Sequence, residues 1–142
     1  MATDASEGSV VHLLHNAAQV ADGAFTRAVR TLTPRQFAIL RAVAASEGLS
    51  QTGVMLATAI DRSTVSSMTR TLITRGYLTR KRIKGDARTY AVRLTEAGQR
   101  ELERAEPIAE KVETALLRRL PIRERSQFLK LLERFATSEA AY

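Results

Sequence analysis

The sequence predicts a mainly α-helical fold carrying one β hairpin, and three observations lead there. Apolar residues recur at intervals of three and four along most of the chain. Capping and breaking residues stand at Thr33-Pro34, Ser50, Asp61, Gly76 and Thr95. Alternation of period two occurs in one β-rich run, Thr89 to Leu94, where Tyr90, Val92 and Leu94 alternate with Ala91 and Arg93.

A chain of 142 residues fits one domain of ordinary size, and 44% hydrophobic with 26% charged residues is the balance of a soluble globular protein. No apolar run approaches the roughly 20 residues of a membrane span, and residues 1–8 have neither a basic start nor an apolar stretch, so no secretory signal is read and a cytoplasmic protein is expected. Without cysteine the chain has no disulfide, thiolate zinc site or thiol switch. Its two histidines, His12 and His15, would need carboxylates to hold a metal, and neither a metal nor a cofactor is expected.

In chain order, a first helix is predicted from Ser9 to about Arg30. Val10, Leu14, Ala17, Ala21, Ala24, Phe25 and Ala28 form its stripe, widened by Leu13, Val20 and Val29. A face this wide suits more than one neighbour, including a second subunit. Thr33 as N-cap and Pro34 at the first position open a second helix that runs to about Ala45, with Phe37, Leu40 and Val43/Ala44 inward. Ser50 caps a short third helix, Gln51 to Thr58, offering Val54, Leu56 and Ala57 for burial. Asp61 caps a fourth from Arg62 to Arg75, where Val65, Met68, Leu72 and Ile73 recur at helical spacing until Gly76 closes the last turn.

Tyr77-Leu78 lead into a strand, Lys84-Gly85-Asp86 supply the turn, and Thr89 to Leu94 return. Thr95 then caps a fifth helix to about Leu117 with Leu102, Ala105, Ile108/Ala109, Val112 and Ala115/Leu116 on one side. Glu101, Glu103, Glu106, Glu110 and Glu113 give it a solvated acidic face, and Pro107 predicts a kink or local break. A last helix from Pro121 to about Ser138 is read as burying Ile122, Phe128, Leu129, Leu131/Leu132 and Phe135. The terminal helices carry more apolar surface than one small domain covers, and dimerisation is the natural outlet.

A short helix, a tight turn, a second helix and a basic hairpin form the order of a winged helix-turn-helix with a two-stranded β wing. Residues 32–95 are then the DNA-binding lobe, and residues 9–31 and 96–142 the dimerisation helices. Charge points the same way. Between Arg62 and Arg93 stand nine bases and the single acid Asp86, a net +8, against +7 for the whole chain, so everything outside this window sums to −1. Bases that only protect an edge strand from pairing would account for three or four of these; concentration of nearly all the excess charge on one helix and its hairpin is the footprint of a polyanion site.

The fourth helix turns Arg62, Ser63, Ser66, Ser67 and Arg70 away from its apolar stripe, the set expected in a major groove. Serine is a mediocre helix former, so three on one face mark a surface with a task rather than one that tolerates solvent. Ser50 and Gln51 at the start of the third helix are expected at phosphates, and Arg80, Arg82, Lys84, Asp86 and Arg88 make up the wing site.

The wing segment Asp86-Ala87-Arg88 through Leu94-Thr95, followed by Glu96-Ala97-Gly98, resembles the wing pattern of the MarR family of bacterial regulators. Leu32-Thr33-Pro34-Arg35-Gln36-Phe37-Ala38-Ile39-Leu40 and Gly76-Tyr77-Leu78-Thr79-Arg80 resemble its other landmarks in the same order. The resemblance implies a homodimer with interlocking terminal helices on a pseudo-palindromic double-stranded DNA operator. It also implies that Arg88 reaches a minor groove while Asp86 steadies the wing, in keeping with the preference of arginine for narrow A·T-rich grooves; an ion pair between the two would be a purely structural role. Many relatives have glycine where Ala59 stands.

More narrowly, His12-Leu13-Leu14-His15, Leu32 to Phe37 and Thr58 to Thr64 resemble regulators of hydroxycinnamate and related aromatic-acid catabolism. That likeness implies a small aromatic acid or aromatic acyl-CoA effector. In such folds the pocket lies between the dimer helices and the DNA-binding lobe, which selects His12, His15, Gln19, Phe25, Arg30, Arg35 and Phe37; burial statistics place Phe25 and Phe37 in the core instead. The reading is a ligand-responsive DNA-binding regulator, a repressor released by its effector, with a constitutive or architectural DNA-binding protein as alternative. No cysteine nucleophile, glycine-rich phosphate loop or metal cluster supports an enzyme, and the serines lack a nearby histidine in sequence.

Overall fold

The structure, a computed structural model, describes residues 8–83 and 85–137, and of residues 86–88 the backbone only. Among them stand six helices and three strands: α1 (Val10–Val29), α2 (Pro34–Ala45), β1 (Leu49–Ser50), α3 (Gln51–Thr58), α4 (Arg62–Thr74), β2 (Leu78–Ile83), β3 (Asp86–Leu94), α5 (Glu96–Leu117) and α6 (Ile122–Thr137). Mainly helical with a winged helix-turn-helix at its centre, this is the expected fold class.

Local chemistry sets the boundaries. The Thr33 side chain accepts from the Gln36 amide while the Gln36 side chain accepts from the Thr33 amide, a reciprocal capping box. Ser50, Asp61 and Thr95 accept from Gly53, Thr64 and Gly98 in the same way. Helix α4 closes with Gly76 at φ 81°, its N–H on the Ile73 carbonyl and that of Tyr77 on Leu72, a Schellman motif.

The sheet departs from the expected two-stranded wing. β1 adds a third strand in the order β1-β3-β2, antiparallel throughout, with Leu49 opposite Val92 and Arg80 opposite that same Val92 on the other side. Two residues are too few for alternation to register in a sequence. The hairpin register shifts between Arg82 and Ile83, a bulge beside the turn.

The core joins the elements around α2. Ile39, Leu40, Val54, Val65 and Leu72 are fully buried, beside Val29, Leu32, Val43, Leu78, Val92, Leu102 and Ala105. Three further expectations are corrected. In α3, Val54 is buried while Leu56 is 82% exposed and Ala57 exposed too, because a two-turn helix turns one narrow stripe inward. Helix α5 runs through Pro107 without a break; Pro107 is exposed, so water can satisfy the carbonyl that its missing N–H leaves free. Glu101 is no member of a solvated face: its side chain is 11% exposed and paired with Arg104 at 2.8 Å.

Helix α6 buries no side chain within the chain, and Ile122, Phe128, Leu129, Leu131, Leu132 and Phe135 are all exposed. Val10, Val11, Leu13, Leu14 and Val20 of α1 are exposed as well. The sequence reading that α6 buries these residues therefore fails for the single chain, whose other elements present no surface to cover them.

Among the described residues two that are not glycine have positive φ, Arg30 at 69° and Ala59 at 56°. Ala59 is the left-handed C-cap of α3, in the turn between α3 and α4. An L residue pays about 1–2 kcal/mol there, and glycine returns about 0.5–1 kcal/mol of that as chain entropy. Ala59→Gly is therefore expected to raise the urea midpoint by an amount equivalent to about 0.5–1 kcal/mol; a lower midpoint would contradict the strain.

Candidate nucleic-acid interface

Helix α4 is held at both ends. At its start the Asp61 carboxylate accepts from the Thr64 amide at 2.9 Å, the Thr64 hydroxyl at 2.7 Å and the Ser63 hydroxyl at 2.8 Å. These bonds, led by the Thr64 hydroxyl, hold the Asp61 carboxyl at about 2, below the ordinary 3.8. Because the folded value is depressed, the cap contributes fully above about pH 4 and is lost as pH falls toward 2. Asp61→Ala should lower the melting temperature at pH 7, and the gap to the parent should narrow between pH 4 and 2; a gap unchanged over that range would rule the carboxylate out.

Gln51 reaches from α3 to donate to the Arg62 carbonyl at 3.3 Å, setting the two helices of the motif against each other. Between α3, α4 and the sheet lies a cleft of 270 Å³. Ser50, Gln51, Arg62, Ser66 and Arg80, drawn from three separate sequence expectations, converge on it. Ser63, Ser67 and Arg70 are exposed on the neighbouring surface of α4, and the Ser63 hydroxyl is already engaged by Asp61. Thr52, Thr69, Thr89 and Tyr90 also line the cleft and were not singled out in the sequence. Thr69 follows Ser66 by three and Arg62 by seven, a helical spacing that would have found it.

Tyr90 organises the wing. It pairs across the hairpin with Arg82, and the guanidinium groups of Arg80 and Arg82 lie 4.9 and 5.8 Å from its ring centroid. The ring thus fixes two cations beside the cleft. Among the described residues no carboxylate lines that cleft, and none of Arg62, Arg70, Arg80 and Arg82 is in an ion pair. Lys84, and the side chains of Asp86 and Arg88, lie outside the described residues.

The seven effector candidates are not gathered into one cavity among the described residues. His12 and His15 are exposed near the start of α1, with the His12 ring 3.2 Å from the Asn16 amide nitrogen. Gln19 lines a shallow groove with Arg27 and Arg119. Phe25 and Phe37 are core residues with ring centroids 5.3 Å apart, and Arg41 sits over Phe37. Arg30 is the positive-φ cap of α1, and Arg35 is exposed in the first turn of α2.

Comparison with known proteins decides the family. A family model described as the MarR family matches residues 30–89. The transcriptional regulator HosA of Escherichia coli is 31% identical over 103 residues, covering 72% of this chain and 76% of HosA. The chain belongs to the MarR family. Among solved MarR-like structures, BpsR of Bordetella bronchiseptica superimposes with a TM-score of 0.88 at 30% identity, over 98% of this chain and 100% of BpsR; its DNA binding is regulated by 6-hydroxynicotinic acid. The transcriptional repressor CouR, bound to a 23-mer DNA duplex, matches with a TM-score of 0.80 at 29% identity, over 90% of this chain and 92% of CouR. This is a MarR-type DNA-binding transcriptional regulator, and the matched relatives indicate no enzymatic family. No helix among the described residues is long and apolar enough to cross a membrane.

Proposed function

We propose that the chain is a homodimeric repressor that releases its operator when a small aromatic acid binds. The observation that carries the DNA side is the face of α4 and the wing, where among the described residues Arg62, Arg70, Arg80 and Arg82 have no ion pair and no carboxylate lines the cleft beside them. Such a face neutralises phosphates, and the exposed Arg70 and Ser67 provide base-edge chemistry in a major groove. In this reading Arg88 serves the minor groove, with Asp86 and Lys84 completing the wing, and residues 32–95 act as the reading lobe.

The apolar residues left uncovered on α1 and α6 support dimerisation through residues 9–31 and 96–142. A dimer sets two α4 helices about one DNA turn apart, roughly 34 Å, on a pseudo-palindromic site. For the effector, the regulation of BpsR by an aromatic acid favours a free acid over a hydroxycinnamoyl-CoA thioester. Release then follows from population shift: the acid prefers a dimer whose half-site spacing no longer fits. A repressor acting on the chromosome works in the cytoplasm.

The test is fluorescence anisotropy on the gene's own upstream DNA at fixed salt, with 6-hydroxynicotinic, p-coumaric and ferulic acids and their available CoA thioesters added in turn. Release by a free acid supports the reading. Release by a thioester alone transfers the effector to the acyl-CoA class, and tight binding that nothing releases leaves a constitutive regulator. No preference over scrambled DNA would sink the operator reading.

A further inference from the structure

The C-terminal end of α4 is gripped from two sides. From the wing side, Thr95 donates its amide to the Tyr77 carbonyl at 3.1 Å and its hydroxyl to the Gly76 carbonyl at 2.5 Å. From the other side, Arg75 donates to the Thr31 carbonyl at 2.6 Å while its guanidinium lies 4.9 Å from the Tyr77 ring centroid. Thr31 belongs to the elbow between α1 and α2, directly after Arg30 with its positive φ.

That elbow is itself held by α5. Arg104 spreads one guanidinium over the Val29 carbonyl at 3.0 Å, the Thr31 hydroxyl at 2.5 Å and both oxygens of Glu101 at 2.8 and 3.1 Å. The Thr31 hydroxyl also donates to Glu101. The Glu101 carboxyl is held below its ordinary pKa, chiefly through its bonds from Arg104, with Thr31 and the charges of Arg104 and Arg75 adding to the effect. A planar fork with fixed donors suits such a junction, and lysine does not reproduce it.

We infer that Arg104 is a positioning residue for DNA binding: through Thr31 and Arg75 it sets the angle of α4 relative to α1 and α5, although it lies on neither the cleft nor the wing. The inference rests on α4 being the helix that reads DNA. Four helices meet at this one elbow, and a side chain on α5 reaches the end of α4 through just two hydrogen-bonded steps. The Arg75–Thr31 bond and the Arg104–Thr31 bond are exposed and add little to stability, so their main consequence is geometric.

A double-mutant cycle tests it. Operator affinity is measured at several salt concentrations for the parent, Arg104→Ala, Arg75→Ala and the double variant, together with thermal melts. Arg104→Ala should weaken operator binding roughly three- to ten-fold, leave the salt slope unchanged because no phosphate contact is lost, and have little further effect when Arg75 is already alanine. Thr31→Val, close to isosteric, should repeat the loss, and Arg104→Lys should fail to restore affinity. Parental affinity in Arg104→Ala and Thr31→Val, or additive losses in the cycle, would overturn the inference. Failure of the underlying reading looks different: Arg70→Ala would then also bind like the parent.

Discussion

Gly98→Ala is expected to lower the melting temperature by about 10 °C, a loss near the top of the roughly 1–3 kcal/mol that overpacking costs. Gly98 is buried in the first turn of α5, and a Cβ there would lie 2.1 Å from the Tyr77 carbonyl oxygen and 2.9 Å from its carbon. Both are backbone atoms that no rotamer change can move. To make room, α5 must retreat from the corner where α4 passes into β2, taking with it the Thr95 bonds to Gly76 and Tyr77. Operator affinity should fall with stability. Gly53→Ala is the contrast: its Cβ would meet a flexible Leu49 methyl at 2.8 Å, and the gain in helix propensity offsets the clash, so its melt should stay near the parent's. Equal melts for Gly98→Ala and the parent would show the corner to be softer than its geometry.

Arg70→Ala is expected to weaken specific operator binding by about 1–3 kcal/mol, roughly five- to 150-fold, and to relax base preference at one position in each half-site. Arg70 is exposed on α4 without an ion pair among the described residues, so alanine removes donors without leaving a buried partner unsatisfied. Arg82→Ala on the wing should act differently, weakening all sequences alike and reducing the salt slope by about one. Competition binding against single-base operator variants separates the two. Uniform loss in both variants would remove α4 from the major groove.

The helical part of the fold was legible because helix ends are local chemistry. Thr33, Ser50, Asp61 and Thr95 each cap where the sequence placed them, and the bounds of α2 and α3 match the reading residue for residue. What escaped depends on distant neighbours. β1 exists only because β3 passes beside Leu49 and Ser50, and the exposure of α6 follows from what is absent around it in one chain. Glu101 looked like one more acid on a wet face, yet its partners include Thr31, 70 residues away.

The site divides in the same way. Arg62 and Ser66 lie on one helix at a spacing that sequence can read, whereas Tyr90 looked like an apolar strand residue until its pairing with Arg82 placed it beneath two guanidinium groups. Gly98 stood in the family wing pattern without a reason, and the reason is the carbonyl of Tyr77. The effector candidates, selected by where the pocket lies in similar folds, are scattered along α1 and over the start of α2.

The short strand β1 has a mechanical consequence. Ser50 is at once a strand residue hydrogen-bonded into the sheet with β3 and the cap from which α3 begins. Through these two residues the base of the hairpin and the start of the helix-turn-helix are joined directly, so a tilt of one pulls on the other. In the proposed dimer, an effector that frees the operator would then act less by bending this unit than by changing the gap between two copies of it, like jaws whose gape changes while the teeth keep their shape.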